Sequence, residues 1–379
     1  MTPSHARRRP AAAPPGHREA GAYGHCQAAR HQAGSVYRVL DNQRLAPQLI
    51  GADREPTPNE THSGYATGAQ LSWSRPDLNA AASVTNRPVG VTLRASQQSI
   101  EDEREDAMSP LDKVYDYSQY GGLKVEKQDR VMTITLDAPE SMNAFSAEMH
   151  HSMSRIWDDV QDDPEVNVVV LTGAGRAFSA GGNVIAMQQK IDNPELWDAT
   201  TLPEAKRIIF RMLECDKPVI ARVNGHAVGL GATVALMCDI IIAADTAKIG
   251  DPHVNAGLVA GDGGALIWPQ LIGFARAKEY LFTGDLMTAA EAHRIGLINH
   301  VVPPEELDER VYGLARRLAA GATRSIRWTK QVINIPLRQI AHATMDLSLS
   351  LETQSNLSRD HQEAVSAFAA KRRPNFTGG

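Results

Sequence analysis

Two glycine-bearing stretches constrain this chain more than any other feature. The first is Val168-Val169-Val170-Leu171-Thr172-Gly173-Ala174-Gly175-Arg176-Ala177-Phe178-Ser179-Ala180-Gly181-Gly182-Asn183. The second, about fifty residues on, is Lys217-Pro218-Val219-Ile220-Ala221-Arg222-Val223-Asn224-Gly225-His226-Ala227-Val228-Gly229-Leu230-Gly231. Each is an apolar, β-branched run that breaks into glycines and then turns amphipathic, which predicts strand, tight turn and helix, twice over. Glycines at such turns let the backbone approach a ligand and aim bare N–H groups at it, and a helix opening there adds partial positive charge. Two such turns facing one another could hold a carbonyl oxygen as negative charge builds on it. A phosphate cradle is excluded, because neither stretch carries Gly-Lys-Ser/Thr or Gly-x-Gly-x-x-Gly in the required places.

The remaining chain bounds the class. At 379 residues there is room for two domains. A net charge of -5 gives no global attraction to nucleic acid or anionic membrane, so neither is expected as a partner. No apolar run reaches bilayer-spanning length. Cys26, Cys215 and Cys238 are too far apart for a metal or redox pattern, which points to a reduced, cytoplasmic protein without a bound metal.

Residues 1–107 open on Arg7-Arg8-Arg9, are rich in Ala, Pro and Gly, and sustain no periodic apolar pattern. They read as a disordered extension or as sequence upstream of the true start, with Met108 opening the compact part. An Arg-rich targeting segment is a further reading; a secretory signal is excluded, because no apolar core follows the arginines.

From Leu123 a hairpin is predicted around Asp129, followed by a helix capped by Ser146. Val168 to Leu171, Pro218 to Val223 and Ile240 to Ala243 read as buried strands alternating with helices, so the fold class is α/β with parallel pairing. A core over residues 108–305 and a helical region over 306–379, serving as lid or assembly element, complete the expected organisation.

The chain from about residue 120 resembles the crotonase superfamily, the enoyl-CoA hydratase/isomerase family. The likeness rests on Ala138-Pro139-Glu140-Ser141-Met142-Asn143-Ala144, Phe178-Ser179-Ala180-Gly181-Gly182-Asn183, Lys217-Pro218-Val219-Ile220 and Asn224-Gly225-His226-Ala227. It extends through Cys238-Asp239-Ile240, Leu281-Phe282-Thr283-Gly284-Asp285, Gly296-Leu297-Ile298 and Ala367-Phe368-Ala369-Ala370-Lys371-Arg372.

That resemblance implies a spiral of ββα units with a C-terminal helical region, trimers or pairs of trimers, and an acyl-CoA thioester as substrate. No cofactor is implied beyond the CoA of the substrate itself. The two enolate-stabilising N–H groups map to Gly182 and Leu230. Ala180, Asn183, Thr233, His226, Phe368 and Lys371 are the expected substrate-binding residues, with Lys371 at a position that meets CoA phosphate in relatives.

The departures decide the chemistry. The two glutamates of a family hydratase match Thr233 and His253 here. Thr233 cannot act as a base near neutral pH, whereas an imidazole can. Asp262, nine residues on across a glycine-containing loop, is the expected orienter of His253. Such a pair is similar to that of the family's β-diketone hydrolases, although a further histidine of theirs maps to Leu230. Three functions therefore stay open: a histidine-based hydratase or isomerase, a carbon–carbon hydrolase of a 1,3-diketone or β-keto acyl substrate, and a non-catalytic acyl-CoA binding protein.

Overall fold

The computed structural model describes residues 113–379; the expectations for residues 1–107 and for a start at Met108 lie outside them. Strands β1 (Leu123–Gln128) and β2 (Val131–Leu136) form the hairpin, with Gln128 opposite Val131. Its two turn residues, Asp129 and Arg130, both take positive φ, the backbone that matches the twist of paired strands. Helix α1 (Ala147–Asp162) starts at Ser146, whose hydroxyl accepts from the Met149 N–H. That bond satisfies one of the first-turn donors a helix leaves open. Met149, Met153, Ile156, Trp157 and Val160 line its buried stripe.

Three ββα units follow. The first is β3 (Val168–Gly173), β4 (Ala177–Ser179) and α2 (Val184–Asp192). After α3 (Leu202–Glu214) comes the second: β5 (Val219–Val223), β6 (His226–Val228) and α4 (Leu230–Leu236). The third is β7 (Ile240–Ala244), β8 (Lys248–Gly250), a 3-10 turn at His253–Ala256 and α5 (Gly264–Ile272). Then come α6 (Phe274–Thr283), β9 (Met287–Thr288), α7 (Ala289–Arg294) and β10 (His300–Val302).

In each unit the long strand joins one sheet and the short strand another. The six-stranded sheet has the order β1-β2-β3-β5-β7-β10, and β4-β6-β8-β9 form the second. From β2 to β10 the large sheet is parallel. Strand β3 is buried at every position, which explains its unbroken apolar run. One face packs on α1 and α3, and the other on Leu307, Val311, Ala315 and Ala319 of α8 (Leu307–Ala319).

The sequence reading led each long strand straight into its glycine turn. The structure inserts a three-residue strand between them in each case. Strands this short, built largely of small residues, give too few alternations for a period to register.

The C-terminal region is α8, a 34-residue helix α9 (Thr323–Asn356) and α10 (Arg359–Ala369). It folds back on the same chain: Ser355 Oγ accepts from the Val259 N–H, and His361 Nδ1 lies 2.7 Å from Ala256 O. No helix among the described residues is long and apolar enough to cross a membrane.

Candidate active site

Strands β4, β6 and β8 lie side by side and parallel, so their C-terminal ends open on one place. They lead respectively into Gly181-Gly182, Gly229-Leu230 and Asp251-Pro252-His253. Ligands in parallel sheets gather at such carboxyl ends.

The first turn is pinned by the Ala138–Ala144 loop. Asn143, fully buried, donates from Nδ2 to Ala174 O at 2.8 Å and Ala177 O at 2.9 Å. Its carbonyl accepts from the Ser179 hydroxyl at 2.7 Å, and Ser179 Oγ accepts from the Gly181 N–H. Gly181 has φ 85, and a Cβ there would come within 2.6 Å of Val228 O, so the two glycine turns are in contact. Only glycine fits. The Gly182 and Leu230 N–H groups donate to no partner among the described residues. Leu230 opens α4, where unspent N–H groups are expected.

His253 stands over the second turn, its Cε1 3.7 Å from where a Gly229 Cβ would lie. Its Nδ1 hydrogen-bonds Asp251 Oδ1, and its Nε2 lies 3.4 Å from Asp262 Oδ2. The intervening loop doubles back: Gly257 takes φ 67, and the Leu258 N–H donates to His253 O. Asp251 is 1% exposed and Asp262 7%. Burial alone would lower the His253 pKa, but the charges of Asp251 and Asp262 outweigh it and hold the ring well above its ordinary range. Burial pushes the Asp262 carboxyl up, yet the imidazolium brings it below its ordinary value.

The resting ring is thus an imidazolium between two carboxylates. Its donor atom and those of Asp251 and Asp262 lie within 4.8 Å of one another, close enough to hold a metal ion. A metal there would take the place of the proton on Nε2, since a ligating ring must offer a bare lone pair.

The other expected residues fall into two groups. Thr233 joins the array, with Oγ1 3.5 Å from Asp262 Oδ1 and no exposure. Ala180 and Asn183 flank the Gly181-Gly182 turn; Ala180 donates to Met142 O, and Asn183 Oδ1 accepts from the Ala186 N–H at the start of α2. His226 is not brought to the array. It begins β6, at the end of the strand away from Gly229, and its Nδ1 accepts from the Lys248 N–H. Burial, then Lys248 and Arg176, lower its pKa. Phe368 lies in the last turn of α10, and Lys371, exposed at φ 55, follows that helix.

Sequence reasoning missed several members. Asp251, two residues before His253, takes the orienting place on Nδ1 that was expected of Asp262. Glu352 is 4% exposed; burial and then the Asp262 charge raise its pKa to about 8. A signal for it existed, because Ala341, Met345 and Leu349 form the buried stripe of α9 and Glu352 and Asn356 continue it with polar residues. His150 and His151 also have an acidic partner: Glu204, from α3, meets their Nδ1 atoms at 2.9 and 2.7 Å.

Comparison with known proteins agrees with this geometry. The sequence model of the enoyl-CoA hydratase/isomerase family matches residues 126–379. A crotonyl-CoA hydratase of Syntrophomonas wolfei is 34% identical over 259 residues, covering 68% of this chain and 98% of the relative. A crystal structure of an enoyl-CoA hydratase/isomerase from Mycobacterium paratuberculosis superposes with TM-score 0.62 at 37% identity, over 65% of this chain and 97% of that one. A β-diketone hydrolase from Anabaena sp. PCC 7120, bound to (S)-3-oxocyclohexyl acetic acid, has TM-score 0.60 at 29% identity, over 65% and 98%. The chain belongs to the enoyl-CoA hydratase/isomerase family.

Proposed function

We propose that this member of the enoyl-CoA hydratase/isomerase family binds an acyl-CoA thioester and forms its enolate, with His253 and Asp262 moving the protons. The observation that carries the reading is the pair of unspent N–H groups at Gly182 and Leu230 beside an imidazole flanked by two buried carboxylates. Two donors aimed at a thioester oxygen stabilise the enolate more than the neutral carbonyl, which is what lowers the barrier.

In hydration, Asp262 takes a proton from water as the hydroxyl adds to the β-carbon. The enolate oxygen rests on Gly182 and Leu230, and His253 Nε2 gives its proton to the α-carbon. The Asp262 proton then returns to His253, so atoms and charge balance. Asp251 fixes the ring orientation throughout. Double-bond migration uses the same groups, with one proton leaving and another arriving two carbons away. CoA enters as part of the substrate, with Lys371 toward its phosphate. The hydratase assignment of the Syntrophomonas relative supports this reading.

A second reading is favoured by the β-diketone hydrolase neighbour: water attack on a 1,3-diketone or β-keto acyl group, with cleavage of a carbon–carbon bond. A trimer or pair of trimers fits the exposed Trp328, Val332 and Ile333 of α9, and light scattering would measure it.

The test is a mass-spectrometric assay of the full chain on crotonyl-CoA, with His253→Ala beside it. Water addition by the parent, lost in the variant, is the expected result. Unchanged crotonyl-CoA together with cleavage of a 1,3-diketone would replace it with the second reading.

A further inference from the structure

Next to Asp262 lies a group of buried polar atoms that the mechanism does not use. Glu352 Oε2, both side-chain polar atoms of Asn356 and His361 Nε2 have no hydrogen-bond partner among the described residues. The three residues are 4%, 1% and 0% exposed, which removes water as a ready partner. Each orphan is costly unless something answers it, and native proteins keep few of them.

These atoms share one neighbourhood. Glu352 and Asn356 are one turn apart on the same face of α9. Glu352 Oε2 would lie 2.7 Å from a Cβ at Gly261, the residue before Asp262. His361, at the start of α10, packs against Gly257 of the same loop. From α2, the half-buried Lys190 ammonium sits 4.6 Å from the Trp197 ring centroid, with no carboxylate in salt-bridge contact among the described residues. Its charge acts on Glu352, His361 and Asp262 together.

The protonation states give this group a definite preference. His361 Nδ1 lies against Ala256 O and so carries the proton, which leaves Nε2 as a bare acceptor; burial keeps its pKa low, with Lys190 adding to the effect. Glu352, held protonated up to about pH 8, is an O–H donor at neutral pH. The set is therefore uncharged apart from the Lys190 ammonium, which Glu204 and Asp262 reach only through space and not in salt-bridge contact. A hydrocarbon chain would leave every one of these atoms unanswered.

We propose that Lys190, Glu352 and Asn356 form a polar subsite that takes a carboxylate on the acyl chain, so that the preferred substrate is the CoA thioester of a dicarboxylic acid. This rests on the acyl-CoA reading above. The carboxylate accepts from the Lys190 ammonium, the Glu352 hydroxyl and Asn356 Nδ2, contacts stronger than neutral hydrogen bonds.

The experiment is calorimetric titration of the full chain at pH 7 with glutaryl-CoA and butyryl-CoA, saturated thioesters that bind without hydration. The parent is expected to bind glutaryl-CoA about tenfold tighter or more, a step of about 1.4 kcal/mol. Lys190→Met is expected to bring the two affinities level. Glu352→Gln keeps a neutral donor and retains most of the preference, whereas Glu352→Leu loses it. Equal binding of both thioesters by the parent, or a preference that survives Lys190→Met and Glu352→Leu, overturns the subsite alone. Binding of neither overturns the acyl-CoA reading and the subsite with it. Lys190 is only half-buried, so its variant tests the idea even where Glu352→Leu fails to fold.

Discussion

Two buried polar clusters lie in this molecule, and they differ in one respect. Behind β5, Lys217 is 1% exposed and its ammonium donates to Val160 O and Asp163 O, each at 2.5 Å, closing the C-terminal end of α1. Lys330 Nζ donates to Lys217 O and pairs with Asp239 at 2.7 Å. Asp163 in turn accepts from Tyr117 and the Glu165 N–H. Every buried side-chain polar atom of that cluster has a partner. At the C-terminal ends of the short strands the opposite holds: Asp251 Oδ2, Glu352 Oε2, Asn356 and His361 Nε2 have none among the described residues. Polar burial alone therefore does not mark a site. A gathering of unanswered carboxyl, amide and imidazole atoms does, whereas the single unpartnered Nε1 atoms of Trp157 and Trp268 lie apart in the hydrophobic core.

The contrast predicts opposite responses to substitution. The largest effect belongs to His253→Ala, which should lower kcat by about 10²- to 10⁴-fold, the usual contribution of a general acid or base. It should also lose stability, because the buried Asp251 and Asp262 carboxylates are left without their cation. Lys217→Met is the mirror case. It leaves the Val160 and Asp163 carbonyls unanswered and should cost roughly 3 kcal/mol of stability, read by urea denaturation. Its turnover per folded molecule should not change. Equal losses of turnover per folded molecule at the two positions would erase the contrast.

Asp251→Asn should have a smaller effect on rate and a specific one on pH. Removing that charge lowers the His253 pKa, so the pH–rate limb of the imidazolium should move to lower pH. An unmoved limb would mean that Asp251 does not set the state of the ring.

Glu352→Gln sharpens the comparison through stability. The unfolded carboxyl loses its proton near 4.5, while the folded one keeps it to about 8. Between these values the folded state binds the extra proton, so raising the pH destabilises it. Below 4.5 both states are protonated and the term vanishes. Glu352→Gln should therefore gain on the parent as pH rises from 4.5 to about 8, and level off above. A stability difference that ignores pH would place Glu352 in contact with partners like those of the Lys217 cluster.

Much of this was legible in the residues. The hairpin, the buried strands β3, β5 and β7 and the Ser146 cap announced themselves through alternation, unbroken β-branched runs and a hydroxyl before an apolar stripe. His253 and Asp262 could be singled out by type and position, and the loop between them does return. The small sheet could not be read, because three residues cannot display a period. His226 looked like a pocket residue because it is near Gly229 in sequence, yet a strand separates its two ends in space. Asp251 stood in plain view, but which carboxylate reaches which ring nitrogen depends on how the chain leaves β8. Glu352 and Asn356 looked like ordinary polar helix residues until packing put them on the buried stripe. Whether a buried atom has a partner is a property of three dimensions alone.

The most direct measurement is deuterium placement at the α-carbon when crotonyl-CoA is turned over in D₂O, followed by mass spectrometry for the parent and His253→Ala. It reads delivery of the His253 proton to the enolate. The parent should give a hydrated product with one deuterium at the α-carbon, and the variant none. Absence of label in the parent, or labelling undiminished in His253→Ala, would overturn the role given to His253.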